Sequence, residues 1–297
     1  MNEAARRRLP RNRRVEPSAR PAMKLTARDC AIIQAVNDYR ALLGSQIEAL
    51  FFASRSTAQY RLSRLYQHEF LERHFLTTVS GGPASSPTVY TLGKRGVQVL
   101  IDTFQLERTA VRLPKKSGFA WGFLDHLLEI NAVRVAVTLA CRQHGWELET
   151  WHDEPIFRAN PDYVVLTDGR GRQRKKPVLP DGYFCLSVPQ GKARFFLEVD
   201  RGTEPHSAFR PQVQVYLAYT ASGLYQARYQ ARSLRILIVT TTPRRLANLQ
   251  AVTRKAGGDR KFWFTTFEQI TAETVLTAPI WLPLETETAA PLIQPAS

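Results

Sequence analysis

The chain has 297 residues, 44% of them apolar and 23% charged, and 41 Lys and Arg side chains against 26 Asp and Glu side chains give a net charge of +15. This composition is typical of a globular protein of about two domains, and the charge favours a polyanionic partner such as nucleic acid. No uncharged apolar run approaches the roughly 18 residues of a membrane helix. The three separated cysteines argue against a disulfide scaffold or a cysteine-type zinc site and favour a reducing, cytoplasmic compartment.

The N-terminal segment, residues 1–22, is a strongly basic arm. Its first 20 residues contain seven Arg and two Glu, and Pro10 and Pro17 oppose a continuous helix. It lacks the apolar run of a secretory signal. We predict a disordered arm, which either contacts nucleic acid phosphates or is a solvated tail without a site of its own.

Residues 23–104 carry the signals of a winged helix. Thr26 and Asp29 form a start typical of a capping box, and two further helices are predicted to end near residues 51 and 67. Strands are predicted over 71–78 and 88–92 with a Ser-Gly-Gly-Pro turn between them, followed by a helix over 96–104. Three helices, a hairpin and a helix are the order of elements in a winged helix.

The third predicted helix, capped by Ser56, has two distinct faces. Its apolar face is suited to burial, and its opposite face carries Thr57, Tyr60, Arg61 and Arg64 at helical spacing. Such a polar and cationic face suits insertion into the major groove of DNA, although a solvated surface helix would show the same pattern. Arg73 in the predicted hairpin is a further candidate for contact with phosphate.

Residues 105–120 read as a linker, and residues 121–283 as an α/β domain with a mixed sheet. We predict strands over 147–151, 163–166, 182–187, 194–200, 234–240 and 262–266, and helices over 121–144, over 211–229 and from Pro243 onward. The segment 284–297, with two prolines and many small residues, is predicted to be disordered.

Three carboxylates are predicted to converge at an edge of this sheet. Glu198 and Asp200 share one face of a strand, and a hairpin would bring Asp181 alongside Glu198. Because carboxylates this close repel one another, a cation must compensate them. One solution is Mg²⁺ or Mn²⁺, which prefer oxygen ligands. The other is an ion-pair network with Arg201 or Lys192.

This spacing resembles the core of the PD-(D/E)xK nucleases. Pro180 and Asp181 match the first element, and Glu198 matches the acidic position. Asp200 stands where the family has its lysine, and a carboxylate cannot activate water as that lysine does. Gln212 and Tyr216 resemble the glutamine-xxx-tyrosine element of some subfamilies. The resemblance implies Asp181, Glu198, Asp200, Gln212 and Tyr216 as catalytic residues, the first three as metal ligands.

A basic stretch precedes Asp181 and includes Arg174, Lys175 and Lys176. We predict a mobile loop between two strands. Such a loop either guides a DNA backbone toward the acidic edge or is only solvated.

The two halves together resemble the replication-relaxation proteins of bacterial plasmids and other mobile elements. The matching residues are Leu25 and Thr26, the YTLGKRG stretch 90–96, His126, Asn131, Arg134, the LPDG stretch 179–182 and the LEVDRGTE stretch 197–204. The resemblance spans about residues 24–283 and implies DNA binding in plasmid replication or relaxation. Members of this family tend to show Glu-x-Asp, as this chain does.

Two functions are therefore predicted. In the first, the winged helix binds duplex DNA and the α/β domain adds a basic surface or recruits replication or mobilisation proteins. In the second, the same winged helix directs a metal-dependent endonuclease or nickase. A homodimer is compatible with both functions, and no membrane is expected as a partner.

Overall fold

The computed structural model describes residues 13–76, 87–111, 121–167 and 169–294. The chain divides into two compact units, residues 1–131 and 132–297. None of the helices within the described ranges combines the length and apolar character that crossing a membrane requires. The Ser-Gly-Gly-Pro turn predicted at 80–83 lies outside the described residues.

The first unit contains helices and a small antiparallel sheet. Its elements are α1 Ala27–Asp38, β1 Leu42–Leu43, α2 Gly44–Phe51, α3 Arg55–Gln67, β2 Leu71–Phe75, β3 Thr88–Leu92 and α4 Lys94–Phe104, followed by the first turns of α5 Trp121–His144. The sheet has the order β1-β3-β2, and both pairings are antiparallel. The helix–helix–helix–hairpin–helix order is the one predicted from the sequence.

Local sequence explains why α1 begins where it does. The Thr26 side chain accepts a hydrogen bond from the Asp29 N–H, and the Asp29 carboxylate accepts one from the Thr26 N–H, which is the predicted capping box. Behind this cap, Ile32, Ile33 and Val36 are fully buried. The cap predicted for α3 was misplaced by two residues, because the N-cap is Ser54 and not Ser56.

Gly93 and Gly96 allow the start of α4 to pack closely against the backbone of the turn before β2. The Gly93 and Arg95 N–H groups donate to the carbonyls of Phe70 and Glu69. A Cβ at Gly93 would lie 2.3 Å from the Glu69 oxygen, and one at Gly96 would lie 2.2 Å from the Phe70 oxygen. No side chain larger than hydrogen fits at either position without moving the backbone, which gives these two residues of the YTLGKRG stretch a structural role.

The disorder predicted for the N-terminal arm is wrong for residues 13–22. The Val15 N–H donates to Gln67 at 2.8 Å, and Gln67 donates to the Arg13 carbonyl at 3.0 Å. Arg14 donates to the Tyr66 carbonyl and pairs with Glu72 at 2.9 Å. Apart from the short 3-10 helix Pro17–Ala19, this segment is therefore ordered by side-chain contacts with α3 and β2, which periodicity does not reveal. Residues 1–12 lie outside the described residues.

The second unit is built on a six-stranded mixed sheet, as the α/β prediction requires. Its elements after α5 are β4 Glu147–Asp153, α6 Glu154–Ala159, β5 Tyr163–Thr167, β6 Gln173–Pro177, β7 Gly182–Val188, β8 Gly191–Asp200, α7 Arg210–Ala221, α8 Leu224–Tyr229, β9 Arg235–Thr240, α9 Pro243–Lys255, β10 Phe262–Thr266 and β11 Leu282–Pro283. The strand order is β11-β10-β9-β8-β7-β4, with β8, β9 and β10 parallel. Strands β5 and β6 form a separate two-stranded sheet.

Two expectations for the secondary structure of this unit need correction. The helix predicted over 211–229 is two helices, because Gly223 has a left-handed backbone (φ 76°) between α7 and α8. The predicted basic loop is strand β6, paired with β5. Basic residues seldom mark strands, so composition concealed this one.

The segment after residue 283 is also ordered as far as residue 294. Leu292 and Ile293 are buried, and the Ile293 N–H donates to the Leu276 carbonyl at 2.8 Å. Arg235 donates to the Leu292 carbonyl at 2.8 Å. These long-range contacts, which composition does not encode, replace the predicted disorder over 284–294. Of the predicted linker, residues 105–111 are described and contain a short 3-10 turn, Arg108–Ala110, whereas residues 112–120, like residues 295–297, lie outside the description.

Candidate functional site

The exposed face of α3 lies in the first half of the helix. Thr57 is exposed, and the Tyr60 ring is 57% exposed despite its size. Arg55 and Gln59 are exposed on neighbouring turns. Among the described residues, no hydrogen bond or ion pair engages either the Arg55 or the Gln59 side chain. Thr57 and Tyr60 were candidates from the sequence. Arg55 and Gln59 were missed, because the sequence analysis considered only the side of the helix that carries Thr57, Tyr60, Arg61 and Arg64.

Arg61 faces α1 and does not share this exposed face. Its guanidinium pairs with the fully buried Asp29 carboxylate through Nε at 2.6 Å and through Nη2, and Nη2 also donates to the Lys24 carbonyl at 2.8 Å. Burial acts to raise the pKa of Asp29, but hydrogen bonds from Arg61 and Thr26 outweigh it, and the net pKa is lowered. Arg61 therefore ties α3 to the start of α1.

Arg64 is 8% exposed and holds the end of the N-terminal arm. Its Nη2 donates to the Pro21 carbonyl at 3.1 Å and also to the Ala22 carbonyl, and its Nη1 donates to the Tyr60 hydroxyl at 3.0 Å. The guanidinium thus orients Tyr60 while it binds the arm. Both α3 arginines predicted to contact DNA are therefore bound to partners within this unit.

Arg73 lies in β2 beside two aromatic rings. Its guanidinium carbon is 4.4 Å from the centre of the Tyr66 ring and 5.6 Å from that of Tyr90. Arg14 lies 4.5 Å from the Tyr66 ring centre as well. Cation–π contacts of this kind hold a guanidinium in place, so Arg73 is a packed and half-buried cation.

In the second unit, strand pairing brings Asp181 beside Glu198. Gly182 pairs with Leu197 in the antiparallel β7–β8 ladder, so Asp181 comes opposite Glu198 on the next rung. Asp181 Oδ2 accepts a hydrogen bond from the Val199 N–H at 2.8 Å. The juxtaposition predicted from the hairpin is therefore present at the end of β8.

Glu198 is held by the two α7 residues of the predicted glutamine-xxx-tyrosine element. The Tyr216 hydroxyl donates to Glu198 Oε1, and Gln212 donates to the same oxygen at 3.2 Å. Burial of the carboxyl raises the pKa of Glu198 well above its ordinary value, and the charge of Asp181 raises it further, while the two donated hydrogen bonds act in the opposite direction. The ionised form of this half-buried carboxyl is therefore less favourable here than in water.

Asp200 is neutralised by an arginine that the sequence analysis missed. Arg245 donates to both carboxylate oxygens, from Nε at 2.8 Å and from Nη2 at 2.7 Å, and the Thr240 hydroxyl donates at 2.6 Å. Burial acts to raise the pKa of Asp200, but these hydrogen bonds outweigh it and the net pKa is lowered. Lys192, one of the cations expected here, pairs with Glu149 at 2.8 Å.

The three carboxylates do not fit a shared metal site as predicted. Within the described ranges, no group of three or more His, Cys, Asp or Glu side chains is arranged to hold a metal ion. Asp181 and Glu198 have the oxygen chemistry that a hard cation prefers. Asp200 does not fit, because Arg245 binds both of its oxygens. The second solution considered from the sequence, a protein cation, applies to Asp200 with Arg245 as that cation.

The three basic candidates of the second unit lie on β6. Arg174, Lys175 and Lys176 are all exposed, and each has a cross-strand partner on β5. Lys175 Nζ lies 4.4 Å from the centre of the Tyr163 ring. Because β6 is paired with β5, these three side chains alternate between the two sides of the hairpin, with Lys175 on the side of Tyr163.

Comparison with known proteins identifies the family. The sequence model of the replication-relaxation family matches residues 33–233, about two thirds of the chain. No curated protein sequence matches the chain significantly. Among solved structures, the restriction endonuclease FokI is similar at a TM-score of 0.30 and 10% sequence identity, over 84% of this chain and 44% of FokI, less than half of its length. A TM-score this low establishes no shared fold or activity. The match over residues 33–233 shows that the chain belongs to the replication-relaxation family.

Proposed function

We propose that this protein binds duplex DNA through the exposed first half of α3 and acts in the replication or relaxation of a plasmid or mobile element. The observation that carries the proposal is that Arg55, Thr57, Gln59 and Tyr60 are all exposed in the first half of α3, while Arg61 and Arg64 in its second half are bound within their own unit. Membership in the replication-relaxation family supports the process.

The order of elements in the first unit supports a winged helix. Helices α2 and α3 precede the β2–β3 hairpin, as in proteins that place the second of two short helices in the major groove. Residues near the N-terminus of such a helix contact base edges. Arg and Gln are the side chains that pair with guanine and adenine through two hydrogen bonds, which suits Arg55 and Gln59 to this task.

Arg61 and Arg64 have a different role in this proposal. Because Arg61 binds Asp29 and Arg64 binds the carbonyls of Pro21 and Ala22, they fix the position of α3 and leave its first half to the DNA. Arg73 is likewise a packing residue beside Tyr66. Of the four α3 residues predicted from the sequence, Thr57 and Tyr60 remain in the proposed DNA contact.

The test is binding of the full chain to labelled duplex DNA across a range of salt concentrations. A protein that neutralises phosphates loses affinity linearly in the logarithm of salt concentration. We expect Arg55→Ala together with Gln59→Ala to weaken binding by about tenfold or more, because each well-placed base contact contributes about 1–3 kcal/mol. Arg108→Ala, which removes an equal charge from an exposed site of the same unit, is the matched control. Equal losses in both variants would reject the α3 assignment.

A metal-dependent DNA endonuclease or nickase is the second candidate function. The observation that favours it is the juxtaposition of Asp181 and the half-buried Glu198, next to Gln212 and Tyr216, which supports the resemblance to the PD-(D/E)xK core. Asp181 and Glu198 would be the ligands of Mg²⁺ or Mn²⁺. Asp200 is excluded from that role in this proposal because it binds Arg245.

Cleavage is tested with supercoiled plasmid and either metal. A nuclease should convert the plasmid to nicked circles, and Asp181→Ala should abolish the conversion without changing the affinity for duplex DNA. Absence of nicking by the wild-type chain with both metals, while duplex binding is intact, would reject this second function and leave the first standing.

A homodimer and contacts with replication or mobilisation proteins belong to the same proposal. Winged-helix proteins that bind palindromic sites do so as dimers, with half-sites one helical turn apart. Light scattering of the full chain with and without its DNA determines the stoichiometry.

A further inference from the structure

The β5–β6 hairpin of the second unit presents an unusual solvent face. Tyr163 is 44% exposed and Val165 is 56% exposed, although both are large and apolar. Strand pairing places Val165 opposite Lys175 and Tyr163 opposite Pro177, so these four side chains share one face. Exposed large apolar side chains grouped on one strand are a common sign of an interaction surface.

The opposite face of the hairpin is fixed to the protein core. Val164 is buried, and Leu166 packs against the same hydrophobic cluster. At the base of the hairpin, the Val178 N–H donates to the Asp162 carbonyl at 2.9 Å, and the Asp162 carboxylate binds Arg228 at 3.0 Å. The solvent face is therefore held in one orientation before any partner binds.

The charge of the hairpin is strongly positive. Residues 163–177 contain five Lys and Arg and one Asp, a net charge of +4. Arg174 and Lys176 are exposed, although they pair with Leu166 and Val164 and so lie on the other side of the hairpin, and within the described ranges neither forms an ion pair. The Lys175 ammonium lies over the Tyr163 ring at 4.4 Å. A partner must therefore combine negative charge with flat apolar groups.

We propose that the solvent face of the β5–β6 hairpin binds single-stranded DNA, with Tyr163 stacking on a base and Lys175 contacting a phosphate. Arg174 and Lys176, on the other side of the same strand, add to the positive potential around this face and do not belong to it. Single strands expose the faces of their bases, and proteins bind them with aromatic side chains beside a cationic surface. Duplex DNA hides these base faces, so it would leave Tyr163 and Val165 without a partner. This site is separate from the duplex contact proposed for α3.

The test measures binding of the full chain to labelled oligothymidylate of about 16 nucleotides, the upper length covered by one small binding domain. Tyr163→Ala should weaken this binding about tenfold, as expected for the loss of one stacked base. Tyr163→Phe should retain most of the affinity, because the ring and not the hydroxyl stacks. Lys175→Ala should weaken binding and reduce its salt dependence, whereas Lys255→Ala, an exposed site on α9, should do neither.

Duplex DNA and oligouridylate complete the experiment. Tyr163→Ala should leave duplex affinity unchanged, and Arg55→Ala should leave oligothymidylate affinity unchanged. The inference is wrong if the wild-type chain binds duplex but not oligothymidylate, if Tyr163→Ala has no effect, or if it weakens both forms equally. Tighter binding of oligouridylate would assign the face to RNA and overturn its assignment to DNA. If the wild-type chain bound oligothymidylate but not duplex DNA, the α3 proposal would be wrong and this inference would stand.

Discussion

Arg61 donates through two nitrogens to the carboxylate of Asp29, a residue with no exposed surface, and so joins the middle of α3 to the first turn of α1. The same carboxylate accepts the Thr26 N–H at 2.6 Å and completes the cap of α1. One acidic side chain thus stabilises a helix start and the packing of the helix proposed to bind DNA.

Asp29→Asn should destabilise the first unit by about 2 kcal/mol at pH 7, because it removes charge-assisted hydrogen bonds and leaves Arg61 without its anion. The pKa of Asp29 lies below its ordinary value of 3.8, so its stabilisation is present above that pH and is lost as the pH falls through the lowered pKa. The difference in Tm between wild type and variant should therefore be full at neutral pH and shrink in acid.

Asp38→Asn is the control for this prediction, since Asp38 is an exposed carboxylate at the other end of α1. A difference that grows on acidification, or an effect no larger than that of Asp38→Asn, would contradict the role given to Asp29.

Gly96→Ala should destabilise the protein although alanine is the better helix former. The substitution gains about 1 kcal/mol of helix propensity. Its Cβ, however, would lie 2.2 Å from the Phe70 carbonyl oxygen, and relief of such overpacking costs about 1–3 kcal/mol or more. Denaturant unfolding measures the net change. Gly44→Ala, where the nearest atom is the Tyr90 ring at 3.4 Å, is the matched control and should be tolerated.

Arg245→Ala should destabilise the second unit by about 2 kcal/mol, because it leaves the half-buried Asp200 without its bidentate partner. Arg245→Lys keeps the charge but loses the paired geometry, so it should be intermediate. Arg244→Ala, at the exposed neighbouring position, should have little effect on Tm. If Mg²⁺ restored the Tm of Arg245→Ala, Asp200 would have to be reconsidered as a metal ligand.

Glu198→Gln should stabilise the protein at neutral pH. Since burial and Asp181 raise the pKa of Glu198, its contribution to stability is present below the ordinary value of 4.5 and is lost as the pH rises through the raised pKa. A neutral amide avoids that loss, and each 1 kcal/mol gained corresponds to about 2–4 °C in Tm.

The Tm advantage of Glu198→Gln over wild type should therefore grow from pH 5 toward neutral pH. Glu147→Gln, at an exposed site on β4, should show no such pH trend. A lower Tm of Glu198→Gln at pH 7 would mean that the carboxylate form is the stable one in the folded protein.

Local sequence was sufficient for much of the fold. The bounds of β3 and α5 were predicted to the residue. The β-branched residues of β3 and the apolar periodicity of α5 are local patterns, so the sequence shows them without knowledge of the packing. The capping box at Thr26 was predicted for the same reason. Strand β6 was missed, since a run of arginine and lysine is a poor strand signal until β5 pairs with it.

The sequence by itself determined most of the helices and strands, the capping box at Thr26, and that Asp181 and Glu198 meet across a hairpin. Only the tertiary structure decided which cation each carboxylate meets: Arg61 for Asp29, 32 residues away, and Arg245 for Asp200, 45 residues away. Periodicity depends on hydrogen bonding within one element, whereas an ion pair between elements depends on how they pack, and several arginines of equal charge compete for each carboxylate.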